Sequence, residues 1–119
     1  MFIANESGRP LARARFPDAL RVSIVTVAEL RAGVLVAGDD AQRARRSVTL
    51  AHAMRLEPAL VDAAVAGAWA VLRVALRDAR LRMRANDAWI AATAIALGLP
   101  LVTQDRDFRG VPMLQVIHV

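Results

Sequence analysis

Three carboxylates, Glu29, Asp87 and Asp105, have the type and the placement to carry chemistry in this chain. Glu29 comes just after the first apolar, β-branched run, Asp87 opens a helical segment, and Asp105 follows a short apolar strand. If these elements alternate in a parallel sheet, all three acids fall near the carboxyl ends of strands, where open α/β sheets bind ligands. Like charges in one crevice repel unless a cation sits among them, and oxygen-only donors suit hard ions such as Mg²⁺ or Mn²⁺. The chain has no cysteine, which excludes thiolate sites, and only His52 and His118 offer imidazole, so any metal would be held mostly by carboxylates. The chemistry that fits is metal-assisted phosphodiester hydrolysis, which needs no Ser, Cys or His nucleophile.

Each acid also has a purely local explanation. Thr26-Val27-Ala28-Glu29 has the spacing of a capping box, in which Glu29 reaches back to the Thr26 amide. Asp87 suits the positive end of a helix dipole, and Asp105 suits a polar turn. The functional reading rests on their common position at strand ends, not on any one residue.

The elements that must position them follow from periodicity. Val22 to Val25 reads as a strand, and Thr26 opens a helix with Val27, Leu30, Val34 and Leu35 on its apolar face. Gly38-Asp39-Asp40 breaks the pattern, and a second helix runs from Ala41 to Ala53 with Arg43, Arg45 and Arg46 on its polar side. Met54 to Pro58 reads as extended. A third helix is predicted over Ala59 to Ala79, with Leu60, Val61, Val65, Trp69, Leu72 and Leu76 as its buried stripe. Asn86 is the predicted cap of a fourth helix that ends at Leu97, with Gly98 and Pro100 as stop signals. Leu99 to Thr103 and Leu114 to Val119 read as strands with a turn between them. Strands alternating with helices imply a mostly parallel sheet covered on both faces.

With 119 residues and 56% hydrophobic content, the chain has the size and composition of one packed domain, residues 1–119. No apolar run reaches the roughly 18 residues needed to span a bilayer, and the start does not read as a signal peptide, so a cytoplasmic location is expected. All 16 basic residues are arginine, which points to GC-rich codons first of all. The net charge of +5 nevertheless favours polyanionic partners.

Three blocks carry a resemblance: Val25-Thr26-Val27-Ala28-Glu29-Leu30-Arg31-Ala32-Gly33, Asn86-Asp87-Ala88-Trp89-Ile90-Ala91-Ala92-Thr93-Ala94, and Gly98-Leu99-Pro100-Leu101-Val102-Thr103-Gln104-Asp105-Arg106-Asp107-Phe108. In order and spacing, and with the closing Gln115-Val116-Ile117 strand, they resemble the downstream blocks of VapC-like toxin ribonucleases of the PIN-domain family. The resemblance covers nearly the whole chain. It implies a three-layer α/β/α PIN-like fold and a Mg²⁺- or Mn²⁺-dependent endoribonuclease, the toxin of a type II toxin–antitoxin pair. It further implies that Glu29, Asp87 and Asp105 bind the metal, that the chain is a homodimer, and that a VapB-like antitoxin covers the site with its C-terminal segment.

One departure stands out. The family begins with a hydrophobic strand that ends in an Asp followed by Thr or Ser, whereas Phe2-Ile3-Ala4 resembles the stretch immediately after that acid. The central first strand is therefore expected to be missing or truncated, with Met1 an assigned start inside a longer reading frame. Two rival readings follow: a catalytically impaired PIN-like protein that still binds its antitoxin, and a basic nucleic-acid-binding domain whose acids are only caps and turns.

Other residues are weaker candidates. Glu6 is read as exposed, with assistance to the acidic pocket as the alternative. Asp107 stands beside Asp105, with solvent or an arginine as a competing partner. Thr103 is placed to hydrogen-bond a metal-binding carboxylate. Trp69 and Trp89 read as core or dimer-interface residues. The run Arg73, Arg77, Arg80, Arg82 and Arg84 reads as a solvated helix end, with RNA phosphates as the alternative contact. His52 and His118 carry no signal.

Overall fold

A computed structural model describes residues 2–4 and 21–119. In chain order the described elements are β1 (Phe2–Ala4), β2 (Arg21–Val22), α1 (Ile24–Leu35), α2 (Asp40–Met54), α3 (Ala63–Asp78), α4 (Ala85–Leu97), β3 (Leu101–Thr103) and β4 (Val116–His118), with a single 3₁₀ turn at Arg106–Phe108. The strands form one sheet of order β2-β1-β3-β4, and every pairing is parallel. The central place, for which the sequence promised a missing or truncated strand, is held by the three-residue β1, paired with β2 on one side and β3 on the other.

Strand alternation builds the three layers. Along β3, Leu101 packs with the α3–α4 side, among Leu72, Ile90 and Phe108. Val102 packs with the α1–α2 side, among Val27, Leu30 and Ala53. Val116 and Ile117 divide between the same two clusters. Successive side chains of a strand point to opposite faces, so a strand buried on both sides must be apolar throughout. The expected α/β/α fold is therefore present.

Helix starts are set by side chains that satisfy free amides, and here three predictions move. The first helix begins at Ile24, not Thr26, because the Ser23 hydroxyl accepts from the Val25 N–H at 3.0 Å. The adjoining strand accordingly ends at Val22. The third helix begins at Ala63, capped by Asp62 at 2.9 Å from the Val65 N–H. Ala59, predicted inside that helix, instead bridges to Ser23 beside the sheet, which leaves Leu60 and Val61 exposed rather than in the buried stripe. The rest of the stripe holds: Val65, Leu72 and Leu76 are buried, and Trp69 stacks on Trp89 of α4 with centroids 4.8 Å apart. The fourth helix begins at Ala85 with Arg84 in the cap position and no side-chain cap bond, so Asn86 is not the cap.

At the end of α2 the segment expected to be extended from Met54 is instead helical at Met54 and turns through Arg55 and Leu56, whereas the end of α4 follows the sequence. Gly98 adopts φ 65°, the left-handed conformation that glycine tolerates, and ends α4. The α1–α2 pair is tied by Arg46, whose guanidinium donates to the Gly33 carbonyl at 2.6 Å.

Candidate metal centre

The acids are gathered by the antiparallel run of α4 against β3. The helix enters at the carboxyl end of the sheet, and the chain then returns through β3 to the same end. Asp87 lies in the first turn of α4 and is 2% exposed. The amide-rich first turn of a helix favours a negatively charged side chain at that position. The first turn is fixed from behind by α3, since Ala88, Ala91 and Ala92 are buried and lack the bulk to hold the two helices apart.

On the strand side, Thr103 is fully buried, and its hydroxyl oxygen accepts from the Asp105 N–H at 2.9 Å. Asp105 is thereby turned at the end of β3. Its own carboxylate accepts from the Asp107 N–H at 2.9 Å and caps the 3₁₀ turn. Phe108 at the end of that turn is fully buried and anchors it to the α3–α4 core. The role expected for Thr103 was a bond to a carboxylate; what it holds is the backbone amide of the acid.

One oxygen from each of Asp87, Asp105 and Asp107 lies within 4.8 Å of the other two. Two of the three sequence candidates thus meet, and Asp107 joins them. Glu29 stands outside this group, half-buried on α1. Its local explanation has also gone: with Ser23 as the cap, Thr26 and Glu29 no longer have the spacing of a capping box. Glu6 lies outside the described residues.

The donor set fits a hard divalent cation. All three groups are carboxylates, and they grade from buried through half-buried to exposed, so one side of the group faces solvent. Unit charges about 4 Å apart repel by roughly 1 kcal/mol in water and by about 4 kcal/mol at the effective dielectric of a protein surface. A divalent ion reverses that cost. The arrangement can hold such an ion where a substrate reaches it from solvent.

A parallel α/β sandwich with aspartates converging at the carboxyl end of its sheet is the class defined by fold and site. The sequence profile described as PIN domain matches residues 2–113, and the chain belongs to that family. It is 44% identical to Ribonuclease VapC5 of Mycobacterium tuberculosis over 122 aligned residues, covering 100% of this chain and 90% of the relative. It is 49% identical to Ribonuclease VapC4 of the same organism over 98 residues, covering 82% of this chain and 75% of the relative. Among solved structures, the VapBC-5 toxin–antitoxin member from Mycobacterium tuberculosis superposes with a TM-score of 0.89 at 38% identity, covering 99% of this chain and 97% of that one.

Proposed function

We propose that residues 1–119 act as one PIN domain and that the chain is a metal-dependent endoribonuclease, the toxin of a VapBC-type pair. The observation that carries this reading is the meeting of Asp87, Asp105 and Asp107 within 4.8 Å in a chain 44% identical, over its whole length, to a named VapC ribonuclease. Asp87 and Asp105 are the proposed metal ligands, with Asp107 on the solvent side. Glu29 is proposed as a further acid that acts on the ion through water.

A bound Mg²⁺ or Mn²⁺ supplies a water of lowered pKa and neutralises charge on the phosphodiester. The chain's own residues do the positioning. Asp87 is held by helix α4, while Asp105 is fixed twice, through its amide to Thr103 and through its carboxylate to the Asp107 amide. Ligands held this way need little reorganisation when substrate arrives. RNA as substrate agrees with the net charge of +5, and a cytoplasmic site of action is part of the same proposal. No helix among the described residues is long and apolar enough to cross a membrane.

A VapB-like antitoxin is the proposed partner. Leu35 and Val36, at the α1–α2 turn, are 78% and 76% exposed. Val48 and Met54 on α2 are exposed as well. Apolar surface of this kind suits a protein partner. A second copy of the chain is proposed as a further partner, with Leu60 and Val61 as exposed apolar side chains available to it.

The test is cleavage of a structured RNA with Mg²⁺ or Mn²⁺ by the wild type and by Asp87→Asn. Losing several kcal/mol of charge stabilisation corresponds to a rate at least about a hundredfold lower in the variant. Cleavage that persists in Asp87→Asn, or that ignores chelation of the metal, overturns the reading.

A further inference from the structure

The run Arg73, Arg77, Arg80, Arg82 and Arg84 spans the end of α3 and the link to α4, and all five side chains are exposed, as a solvated helix end requires. Arg73, Arg77 and Arg82 line an open pocket of about 490 Å³, a size suited to a nucleotide-sized ligand. Its floor is apolar, built from Leu76, Leu81 and Met83. Its lining includes three guanidinium groups and no carboxylate.

The pocket's position ties it to the acidic group. Ala88 of α4 lines the pocket, and its neighbour Asp87 belongs to the acidic group. Consecutive Cα atoms lie only about 3.8 Å apart, so the two sites flank the same first turn of one helix. Two of the three arginines also contact residues outside the pocket lining. Arg73 lies over the Trp69 ring at 5.2 Å. Arg77 pairs with Asp78 at 3.4 Å, an exposed contact that an incoming phosphate can displace.

We propose that this pocket is a subsite for the RNA strand on the flank of the scissile phosphate, with the guanidinium groups on a backbone phosphate and the apolar floor under ribose and base. The proposal rests on the ribonuclease reading above. Since the floor offers no donor or acceptor to a base edge, the subsite positions the strand without reading its sequence. Strand selectivity must then come from elsewhere.

The experiment uses a fluorescein-labelled RNA hairpin and the 119-residue chain carrying Asp87→Asn, so that binding is measured without cutting. Fluorescence anisotropy is followed against salt concentration for that protein and for versions adding Arg77→Ala, Arg82→Ala or Arg45→Ala. Arg45 is exposed on α2, away from the pocket, and controls for net charge. Loss of a charge-assisted contact predicts about tenfold weaker binding for each pocket variant. The slope of log K against log salt should fall by about 0.7 for a single-stranded contact. The same loss is expected for hairpins of different loop sequence. Arg45→Ala should keep the parent slope and affinity within about twofold.

In the cutting-competent protein, Arg77→Ala and Arg82→Ala should raise KM and leave kcat in place. Circular dichroism should show all variants folded, because these side chains are exposed. Pocket variants indistinguishable from Arg45→Ala in affinity and slope overturn the subsite. A wild type that cuts RNA while its pocket variants keep the parent KM likewise removes the subsite alone. A wild type that cuts nothing, with pocket variants that lose binding as predicted, overturns the ribonuclease reading and supports the pocket as an RNA site.

Discussion

The Asp105 carboxylate accepts a hydrogen bond from the Asp107 backbone N–H at 2.9 Å, so one acid both caps a turn and joins the acidic group. The two duties can be separated. Asp105→Asn keeps an acceptor oxygen for the cap but removes the charge, whereas Asp105→Ala removes both. The Ala variant should lose about 1 kcal/mol, lowering the metal-free melting temperature by roughly 4 °C. The Asn variant should melt close to the wild type. Neither should gain stability when Mn²⁺ is added, as read by calorimetry.

Asp87→Asn removes the buried carboxylate of the acidic group and should change the response to metal. With Mn²⁺ at a hundred times its dissociation constant the wild type should gain about 2.7 kcal/mol. The variant should gain little. A variant that gains as much from Mn²⁺ as the wild type would remove Asp87 from the metal site.

Thr103→Val removes the acceptor for the Asp105 N–H while keeping the side chain's shape. An amide left without its partner costs about 1–3 kcal/mol, measurable by urea unfolding. Because the lost bond orients a metal ligand, Mn²⁺ affinity should also fall by about tenfold. Thr103→Ser should retain both properties.

At the start of α1, Ser23 and Thr26 should respond differently. Ser23→Ala removes the observed cap and should cost about 1 kcal/mol. The Thr26 Oγ1 atom is buried with no hydrogen-bond partner among the described residues. Thr26→Val should therefore be neutral or mildly stabilising in urea unfolding. A cost at Thr26 comparable to that at Ser23 would return the capping role to Thr26.

Glu29→Gln tests whether the outlying acid contributes. Half-buried on α1, it should leave the melting temperature within a few degrees of the wild type when replaced by its isostere. The Mn²⁺ affinity and the cleavage rate should both drop, by less than in Asp87→Asn, since an acid acting through water holds the ion more weakly. Unchanged cleavage in Glu29→Gln would remove it from the site.

Much of this protein is written in local patterns. The apolar spacing of Val65, Leu72 and Leu76 and the stop at Gly98 set α3 and α4. The unbroken Leu101–Val102 pair marks a strand buried on both faces. These features depend on residues a few positions apart, and short-range sterics and burial decide them. Element starts were less legible: Ser23, Asp62 and Arg84 took the cap positions where Thr26, a segment opening at Ala59 and Asn86 had been expected. Several polar residues stand near each start, and tertiary pairing, such as Ala59 against Ser23, selects among them.

That Asp87 and Asp105 lie at the same end of the sheet was readable from their joint placement beside strand ends and a helix start. That Asp107 meets them while Glu29 stands apart, and that three arginines share a pocket beside the same turn, was decided only by the folded arrangement. Sequence fixes which end of each element a charge occupies. Distances between charges on different elements depend on how helices pack across the sheet, a property of the assembled core that no local segment encodes.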